Sequence, residues 1–242
     1  MSILMKKKIA TACPLQSSSK VYISFSLFLT PLHHTQSYAW SIEYEKKGRL
    51  WGNAPSIRPP VFPASPSDSH LVYLDLGAGD GKCFRGISSI DSHITQLAVD
   101  FSSAALHLCH QQVERVCADA VQLPFHAKVV DRIYAHHVLG HIPVEERSLA
   151  VAEMLRIAKP GAMIWVVVFE RGDFRAGMGD ICTEEYTYIR KNGIITHYFT
   201  KQELLLLFSC CTPIYIKLHQ WSMQIRGISY PRSMIEGFFS VQ

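Results

Sequence analysis

The sequence predicts a doubly wound α/β fold. From residue 71 onward, short apolar runs typical of buried strands alternate with amphipathic segments typical of helices. The run AMIWVVVFE (162–170) is almost purely apolar, as expected for a strand that is covered on both faces of a parallel sheet. Polar residues follow several predicted strands at their carboxyl ends, where ligands bind in sheets of this kind.

Each predicted element has a local signal. Ser102 or Ser103 and Thr200 are candidate N-caps, and Pro160-Gly161 is a helix stop. The predicted strands are HLVYLDLG (70–77), ITQLAVD (94–100), RVCAD (115–119), one within VVDRIYAHHVL (129–139), AMIWVVVFE, PIYIKLH (213–219) and WSMQIRG (221–227). The predicted helices are a short one within 40–50, KCFRGISSI (82–90), SSAALHLCHQQV (102–113), PVEERSLAVAEMLRIAKPG (143–161) and TKQELLLLFS (200–209).

Composition indicates one soluble domain in a reducing compartment. The 242 residues are 48% hydrophobic and 18% charged, which suffices for a sizeable core. The net charge of +4 permits an anionic partner but does not require one. The seven cysteines are odd in number and include no CxxC pair, which argues against a disulfide framework and a zinc site. We therefore expect a cytoplasmic protein with reduced thiols and no membrane partner.

The organisation before residue 71 is less regular. We expect residues 1–37 to form a poorly ordered extension and residues 38–242 to form the folded domain. A secretory signal is the alternative for the extension, because an apolar run at 21–29 follows a basic start. That run is too short to span a bilayer as a helix. A proline-rich linker (58–69) precedes a ligand-binding half (71–170) and an insertion (171–199) that we expect to cap the substrate.

The stretch YLDLGAGDGK (73–82) predicts a nucleotide-like ligand. Gly77, Gly79 and Gly81 follow the first strand, and glycine lets a ligand approach the backbone closely. Asp100 ends the second strand, where a carboxylate can accept both ribose hydroxyls, and Asp119 ends the third, where it can accept from a base amine. The spacing D-x-G-x-G-x-G differs from that of NAD enzymes. Asp75 suits an ammonium group better than a pyrophosphate, which favours S-adenosylmethionine.

These motifs, with LAVDFS (97–102), CADAVQLPF (117–125), DRIYAHHVLGHI (131–142) and EMLRIAKPGAMIWVVVFE (153–170), resemble those of class I S-adenosylmethionine-dependent methyltransferases of type 11. The resemblance implies a Rossmann-like sheet of seven strands, mostly parallel, whose last strand inserts antiparallel beside the fifth. It also implies that the cofactor is held by Asp75, Gly77, Ala78, Gly79, Gly81, Asp100, Phe101, Asp119, Ala120 and His136.

Three histidines are candidates for acid–base catalysis. Methyl transfer mainly requires positioning, and it needs a base only where the acceptor must lose a proton early. His136, His137 and His141 lie near the fourth strand's end and have the right chemistry, although packing at the cofactor edge is the alternative. We expect no metal, because no carboxylate or cysteine joins them at ligand spacing.

Two segments are expected to select the acceptor. Tyr44, Arg49 and Trp51 could form a lid, and Arg171 and Tyr198 belong to the insertion. An undetermined small molecule is the favoured acceptor, and RNA is the alternative because basic and aromatic residues are interleaved. The stretches 102–125 and 136–161 are similar to tRNA wobble-uridine methyltransferases, whereas the tail after residue 171 departs from their pattern. A non-catalytic S-adenosylmethionine-binding subunit is the third possibility.

Overall fold

The computed structural model describes residues 21–23, 31–50, 55–60, 70–85 and 93–242. Eight strands form one large sheet and three form a small one. The large sheet contains β1 (Val21–Ile23), β2 (Leu71–Leu76), β3 (Ile94–Asp100), β4 (Glu114–Cys117), β5 (Val130–His136), β6 (Ala158–Phe169), β10 (Cys211–Ile225) and β11 (Ile228–Val241). The small sheet contains β7 (Asp180–Ile181), β8 (Thr187–Ile189) and β9 (Ile195–His197). The helices are α1 (Pro31–Lys47), α2 (Lys82–Arg85), α3 (Ser103–Leu106), α4 (Val144–Ile157) and α5 (Lys201–Leu207).

The large sheet has the predicted mixed topology. Its strand order is β1-β4-β3-β2-β5-β6-β11-β10, and all neighbours are parallel except those of β11. Strand β11 is the last in the chain and lies antiparallel between β6 and β10. The predicted α/β fold with a seven-stranded sheet is therefore confirmed. Strand β1 adds an eighth strand, parallel to β4 at the edge.

The two late strands were predicted in the wrong place. Residues 213–227 were expected to hold both, but residues 211–225 form the single strand β10 and the last strand follows at 228–241. The chain reverses at Arg226 (φ 49°) and Gly227 (φ 79°), and two successive left-handed residues make the tight turn that hairpins favour. A break between two strands was predicted near His219, although no turn signal stands there. Strand β10 runs through this position without interruption.

Both faces of the central strands are buried. Alternate residues of β6 enter two separate core clusters: Ile164, Val166 and Val168 enter one, and Trp165 and Val167 enter the other. This arrangement accounts for the continuous apolar run in the sequence. None of the helices in the described parts of the chain is long and apolar enough to cross a lipid bilayer.

Helices α3, α4 and α5 are shorter than predicted; α4 ends at Ile157, so Pro160-Gly161 lies in β6 and is not the helix stop. Ser102 accepts a hydrogen bond from the Ala105 amide and begins α3, but this helix has only four residues, whereas residues 102–113 were predicted to be helical. The chain tightens into turns after Leu106, which bring the Cys109 thiol to 3.4 Å from the Gly79 carbonyl oxygen. Helix α5 begins at a capping box formed by Thr200 and Glu203. Of the helix predicted at 82–90, residues 86–90 lie outside the described residues.

Helix α1 is longer than the short helix predicted within 40–50. It runs from Pro31 to Lys47 and is followed by Gly48 in a left-handed conformation (φ 65°), which is a common helix end. The predicted boundary at residue 37 falls inside this helix. Residues 1–20 and 24–30 lie outside the described residues, so the expected extension and its alternative stay predictions. The same holds for linker residues 61–69.

Candidate active site

A cavity of about 940 Å³ lies at the carboxyl ends of the parallel strands. The glycine turn after β2, the ends of β3 and β5, helix α1 and the 190–196 segment all contribute to its wall. Ten of the predicted cofactor and catalytic residues line it: Gly77, Ala78, Gly79, Asp100, Phe101, Asp119, Ala120, His136, His137 and His141. The strand ends thus bring together residues that are up to 64 positions apart, from Gly77 to His141.

The glycine turn can exist only without side chains. Gly77, Gly79 and Gly81 have φ angles of 67°, 55° and 78°, which disfavour other residues. A Cβ atom on Gly77 would lie 2.7 Å from Cβ of Val138, and one on Gly79 would overlap the Tyr44 hydroxyl. Tyr44 projects from α1, so the helix covers the turn directly. Gly81 does not line the cavity and instead gives room to Cys109.

Asp100 fastens the second strand end to the glycine turn. Its Oδ2 accepts from the Gly79 amide at 2.8 Å, and its Oδ1 accepts from the Ser102 amide at 2.9 Å. Burial raises the pKa of Asp100 to about 6, and hydrogen bonds from the Ser102 and Gly79 amides oppose that rise. Each carboxylate oxygen has a further lone pair, and Asp100 lines the cavity, so the group can still accept from a ligand hydroxyl.

Asp75 lies behind the glycine turn, 1% exposed and outside the cavity wall. Burial raises its pKa to about 8, while a hydrogen bond from the Cys83 thiol and the charges of Asp100 and Asp80 act as smaller influences. In the free protein at neutral pH this carboxyl group is therefore mostly protonated. A cation nearby would favour its ionised form.

Asp119 and Ala120 form the wall after β4. The Asp119 Oδ1 atom accepts a hydrogen bond from the Val121 amide at 3.0 Å, which fixes the carboxylate at the cavity wall. Phe101 lies next to the Asp100 strand end and also lines the cavity. The three residues thus occupy positions at which a planar base could rest, as the sequence predicts.

The three histidines form a neutral, stacked wall. Burial lowers the pKa of His136 to about 3 and that of His141 to about 4, and it holds that of His137 well below its usual range. The His137 ring stacks on Phe169, with centroids 3.9 Å apart, and the His136 ring stacks on Trp165 at 5.7 Å. His141 Nδ1 lies 2.6 Å from the Ile195 carbonyl oxygen, so it carries the proton and donates it, and Nε2 is left as an acceptor. Imidazole groups with such low pKa values are weak bases, so they are better suited to accept a hydrogen bond from a ligand and orient it than to remove its proton.

The opposite end of the cavity is basic. Arg175 and Arg232 line it, and Arg190, which also lines the cavity, donates to the Arg175 carbonyl oxygen at 3.5 Å; all three come from the insertion or the tail. The acidic residues Asp100 and Asp119 follow β3 and β4, whereas the arginines pack beside β6 and β11. Neighbouring strands are about 4.8 Å apart, so the ends of β3 and β6 are roughly 14 Å apart. Asp100 and Asp119 are thus separated along the sheet from Arg175 and Arg232.

Of the residues predicted to contact the acceptor, Tyr44 lines the cavity, whereas Arg49, Arg171 and Tyr198 do not. Arg171 contacts Glu203 at 3.0 Å and packs over the Tyr186 ring, and Tyr198 is fully buried with its hydroxyl bonded to Arg190. Arg49 is exposed and donates to the Leu108 carbonyl oxygen. Trp51 lies outside the described residues. As predicted substrate contacts, these residues are not supported by a cavity position.

The sequence analysis gave no role to Gln36 and Trp40, which both line the cavity. Gln36 is 2% exposed, donates to the Gly193 carbonyl oxygen at 2.9 Å and accepts from the Ile195 amide at 2.8 Å. It thereby ties α1 to the insertion across the cavity. The Trp40 ring contacts His141 edge-on, with centroids 4.8 Å apart. A helical apolar pattern could have indicated burial of α1, but not its partner.

A family comparison decides between the ligand classes that this geometry permits. Residues 74–166, which contain the glycine turn, Asp100, Asp119 and the histidines, match the family described as Methyltransferase domain. Residues 74–166 therefore form a class I S-adenosylmethionine-dependent methyltransferase domain. Solved structures with this fold include a methyltransferase from Methanosarcina mazei (TM-score 0.58, 22% identity, 72% of this chain and 93% of that chain). Another is from Anabaena variabilis (TM-score 0.63, 14% identity, 94% and 99%).

Curated relatives of this methyltransferase act on tRNA. A tRNA (carboxymethyluridine(34)-5-O)-methyltransferase from Arabidopsis thaliana is 32% identical over 103 residues, which cover 42% of this chain and 24% of that protein. A tRNA N(3)-cytidine methyltransferase from Bos taurus is 26% identical over 166 residues, which cover 61% of this chain and 43% of that protein. The matched part is thus less than half of either relative.

The cavity residues of this methyltransferase fit S-adenosylmethionine. Gly77 and Gly79 line the cavity without side chains, which lets a ligand approach their backbone closely. Asp100 offers lone pairs to a ribose, and Asp80 and Asp119 line the same cavity, which favours a cationic ligand. These features agree with a positively charged nucleoside better than with a pyrophosphate.

Proposed function

We propose that this chain transfers a methyl group from S-adenosylmethionine to a nucleoside of tRNA. The basic part of the cavity wall carries the proposal, because Arg175, Arg190 and Arg232 line the same cavity as the predicted cofactor residues and suit an anionic acceptor. The tRNA substrates of the relatives from Arabidopsis thaliana and Bos taurus support the same choice. A volume of about 940 Å³ lies at the upper end of the range of small-molecule sites and leaves room for a nucleobase beside the cofactor.

The chemistry requires positioning more than proton transfer. S-adenosylmethionine supplies an activated methyl group on a positively charged sulfur. A lone pair of the acceptor forms a bond to the methyl carbon while the carbon–sulfur bond breaks, and its electron pair stays on sulfur. A proton on the acceptor atom, if there is one, leaves to water or to a neighbouring acceptor. The role of the protein is to align the two partners and to exclude water.

The histidines would orient the acceptor rather than act as strong bases. Their pKa values lie far below neutrality, so they are uncharged and accept hydrogen bonds at pH 7. His141 has the best geometry, since its Nδ1–H is committed to the Ile195 carbonyl oxygen and its Nε2 is an acceptor at the cavity wall. An acceptor atom that is already deprotonated, or has a lone pair without a proton, suits this wall best.

A small-molecule acceptor is the second candidate. Gln36 joins α1 to the insertion across the cavity, and such a bridge encloses a small acceptor well. A reduced, cytoplasmic location also belongs to the proposal and is supported by the six free cysteines among the described residues.

A transfer assay tests the proposal. Purified protein is incubated with methyl-labelled S-adenosylmethionine and total tRNA, and precipitable label is counted before and after ribonuclease treatment. We expect label in tRNA that ribonuclease releases, and we expect Asp100→Ala to abolish it while Asp180→Ala, an exposed residue on β7, does not. Label that resists ribonuclease, or transfer only to small molecules in a cell extract, would overturn the tRNA acceptor. Binding of the cofactor without transfer to any acceptor would indicate a non-catalytic subunit.

A further inference from the structure

We propose that Arg175 and Arg232 form an anion subsite that binds a carboxylate or phosphate group of the acceptor. The inference deepens the proposed function and rests on it for the identity of the acceptor as a nucleoside. Both arginines line the cavity at the end opposite to Asp100 and Asp119.

Asp173 orients both guanidinium groups, because the Nε atom of each arginine donates to one of its carboxylate oxygens. Arg175 Nε donates to Asp173 Oδ1 at 2.9 Å, and Arg232 Nε donates to Asp173 Oδ2 at 2.6 Å. The Asp173 side chain has no exposed surface. Although burial alone would raise the pKa of Asp173, the hydrogen bonds from Arg175 and Arg232 hold it below its usual range, so it stays ionised. One buried carboxylate thus orients two cations.

Arg175 has a buried donor that the protein does not use. Its Nη2 atom is shielded from solvent and has no hydrogen-bond partner among the described residues. The guanidinium lies 4.3 Å from the centroid of the Phe169 ring, which also stacks on His137. An unused charged donor is costly inside a protein, and an anionic ligand would satisfy it.

The local charge favours an anion. Asp173 is the only carboxylate in ion-pair contact with either arginine within the described parts of the chain, so the cluster of three carries a net positive charge. Arg190 also lines the cavity; it donates to the Arg175 carbonyl oxygen at 3.5 Å and bonds the neutral hydroxyl of Tyr198. Guanidinium groups match carboxylate and phosphate oxygens in geometry as well as charge.

The neighbours of the subsite explain what its ligand could do. His137 and Phe169 connect Arg175 to the middle of the cavity, between the acidic and the basic ends. An acceptor held there by an anionic group would have its nucleoside beside neutral histidines. A carboxylate acceptor would also need no base, because it is already ionised at neutral pH.

A binding experiment with matched nucleosides tests the subsite. The protein is titrated calorimetrically, with S-adenosylhomocysteine present so that no methyl group is transferred. The probes are 5-carboxymethyluridine against its neutral methyl ester, and uridine 5′-monophosphate against uridine. We expect at least one anionic probe to bind about tenfold more tightly than its neutral counterpart, as charged hydrogen bonds provide. The pair that shows the preference identifies the source as a base carboxylate or a backbone phosphate.

Variants separate the subsite from general damage. Arg175→Gln should remove most of the preference for the anion and leave binding of the neutral probe nearly unchanged, whereas Arg175→Lys should keep part of it. Arg226→Gln, at the β10–β11 turn outside the cavity wall, is the matched control. A preference that is absent in the natural protein, or unchanged in Arg175→Gln, would overturn the proposal. Failure of tRNA to accept label, with the preference intact, would instead overturn only the tRNA acceptor.

Discussion

The Oδ2 atom of Asp100 accepts a hydrogen bond from the Gly79 amide at 2.8 Å, so a carboxylate at the end of β3 holds the glycine turn after β2. Its Oδ1 atom holds the Ser102 amide in the same way. One side chain thus connects two strand ends and a helix start. The shape of the cofactor cradle and its ribose acceptor depend on the same group.

Asp100→Ala should weaken binding of S-adenosylmethionine by about 1.5–3 kcal/mol, the scale for loss of charged hydrogen bonds. The Gly79 and Ser102 amides would also lose their acceptor, so we expect a lower free energy of unfolding. Calorimetric titration and thermal denaturation measure the two effects. Asp180→Ala is the control for loss of an aspartate at an exposed position. Unchanged affinity in Asp100→Ala would contradict the placement of the ribose.

Gly79→Ala should nearly abolish cofactor binding. The new Cβ atom would overlap the Tyr44 hydroxyl and displace α1 from the glycine turn. Gly161→Ala is the matched control, because Gly161 has a similarly positive φ of 79° but no atom within 4 Å of the position that a Cβ atom would take. That control should cost about 1 kcal/mol of stability and leave binding intact. Equal loss of binding in both variants would show that backbone strain, not the contact with Tyr44, matters.

Gln36→Ala should release α1 from the insertion. The buried Ile195 amide and Gly193 carbonyl would lose their partner, at a cost of about 1–3 kcal/mol. Amide hydrogen exchange should then speed up in α1 and in β9 while the central strands stay protected. Glu45→Ala, an exposed change on the same helix, should leave exchange unaltered. Uniformly faster exchange throughout the sheet would argue against a local clasp.

Binding of the cofactor should release a proton near neutral pH. Burial raises the pKa of Asp75 to about 8, so this group is largely protonated in the free protein at pH 7. A nearby ligand cation favours the carboxylate, so its proton is released on binding and the apparent affinity rises as pH approaches 8. Titrations in buffers of different ionisation enthalpy measure the release.

Asp75→Asn supplies the test of that assignment, because it should remove the release and flatten the pH dependence of affinity. The same group makes the free fold less stable as pH rises from about 4 to 8, since the unfolded carboxyl ionises first. Proton release that persists in Asp75→Asn would assign it to another group, of which Asp100, with a pKa of about 6, is the first candidate.

The sequence predicts the cofactor end of this protein better than the acceptor end. Gly77, Gly79, Asp100 and Asp119 follow strands in order, and parallel strands bring their carboxyl ends to one edge whatever the details of packing. Local rules are therefore enough to collect them. The antiparallel last strand, which is confirmed, was predicted from the family resemblance. The β10–β11 hairpin was misplaced because its sequence contains little local signal for the turn.

The acceptor end depends on contacts that no local pattern reveals. Arg232 meets Asp173 across 59 positions, and Gln36 meets Ile195 across 159. Arg171 and Tyr198 looked equally suitable in the sequence, yet they pack against Tyr186 and Arg190 away from the cavity wall. Arg175 lines the cavity while it is held by the buried Asp173, and Arg190 does so while it bonds Tyr198, so tertiary partners decide which arginine of the insertion faces the cavity.

The most direct measurement is a calorimetric titration of the purified protein with S-adenosylmethionine, with NAD as the comparison. We predict micromolar binding of S-adenosylmethionine that Asp100→Ala weakens, and no binding of NAD. Binding of NAD alone, or of neither ligand, would contradict the claim that the glycine turn, Asp100 and Asp119 form a methyltransferase cofactor site.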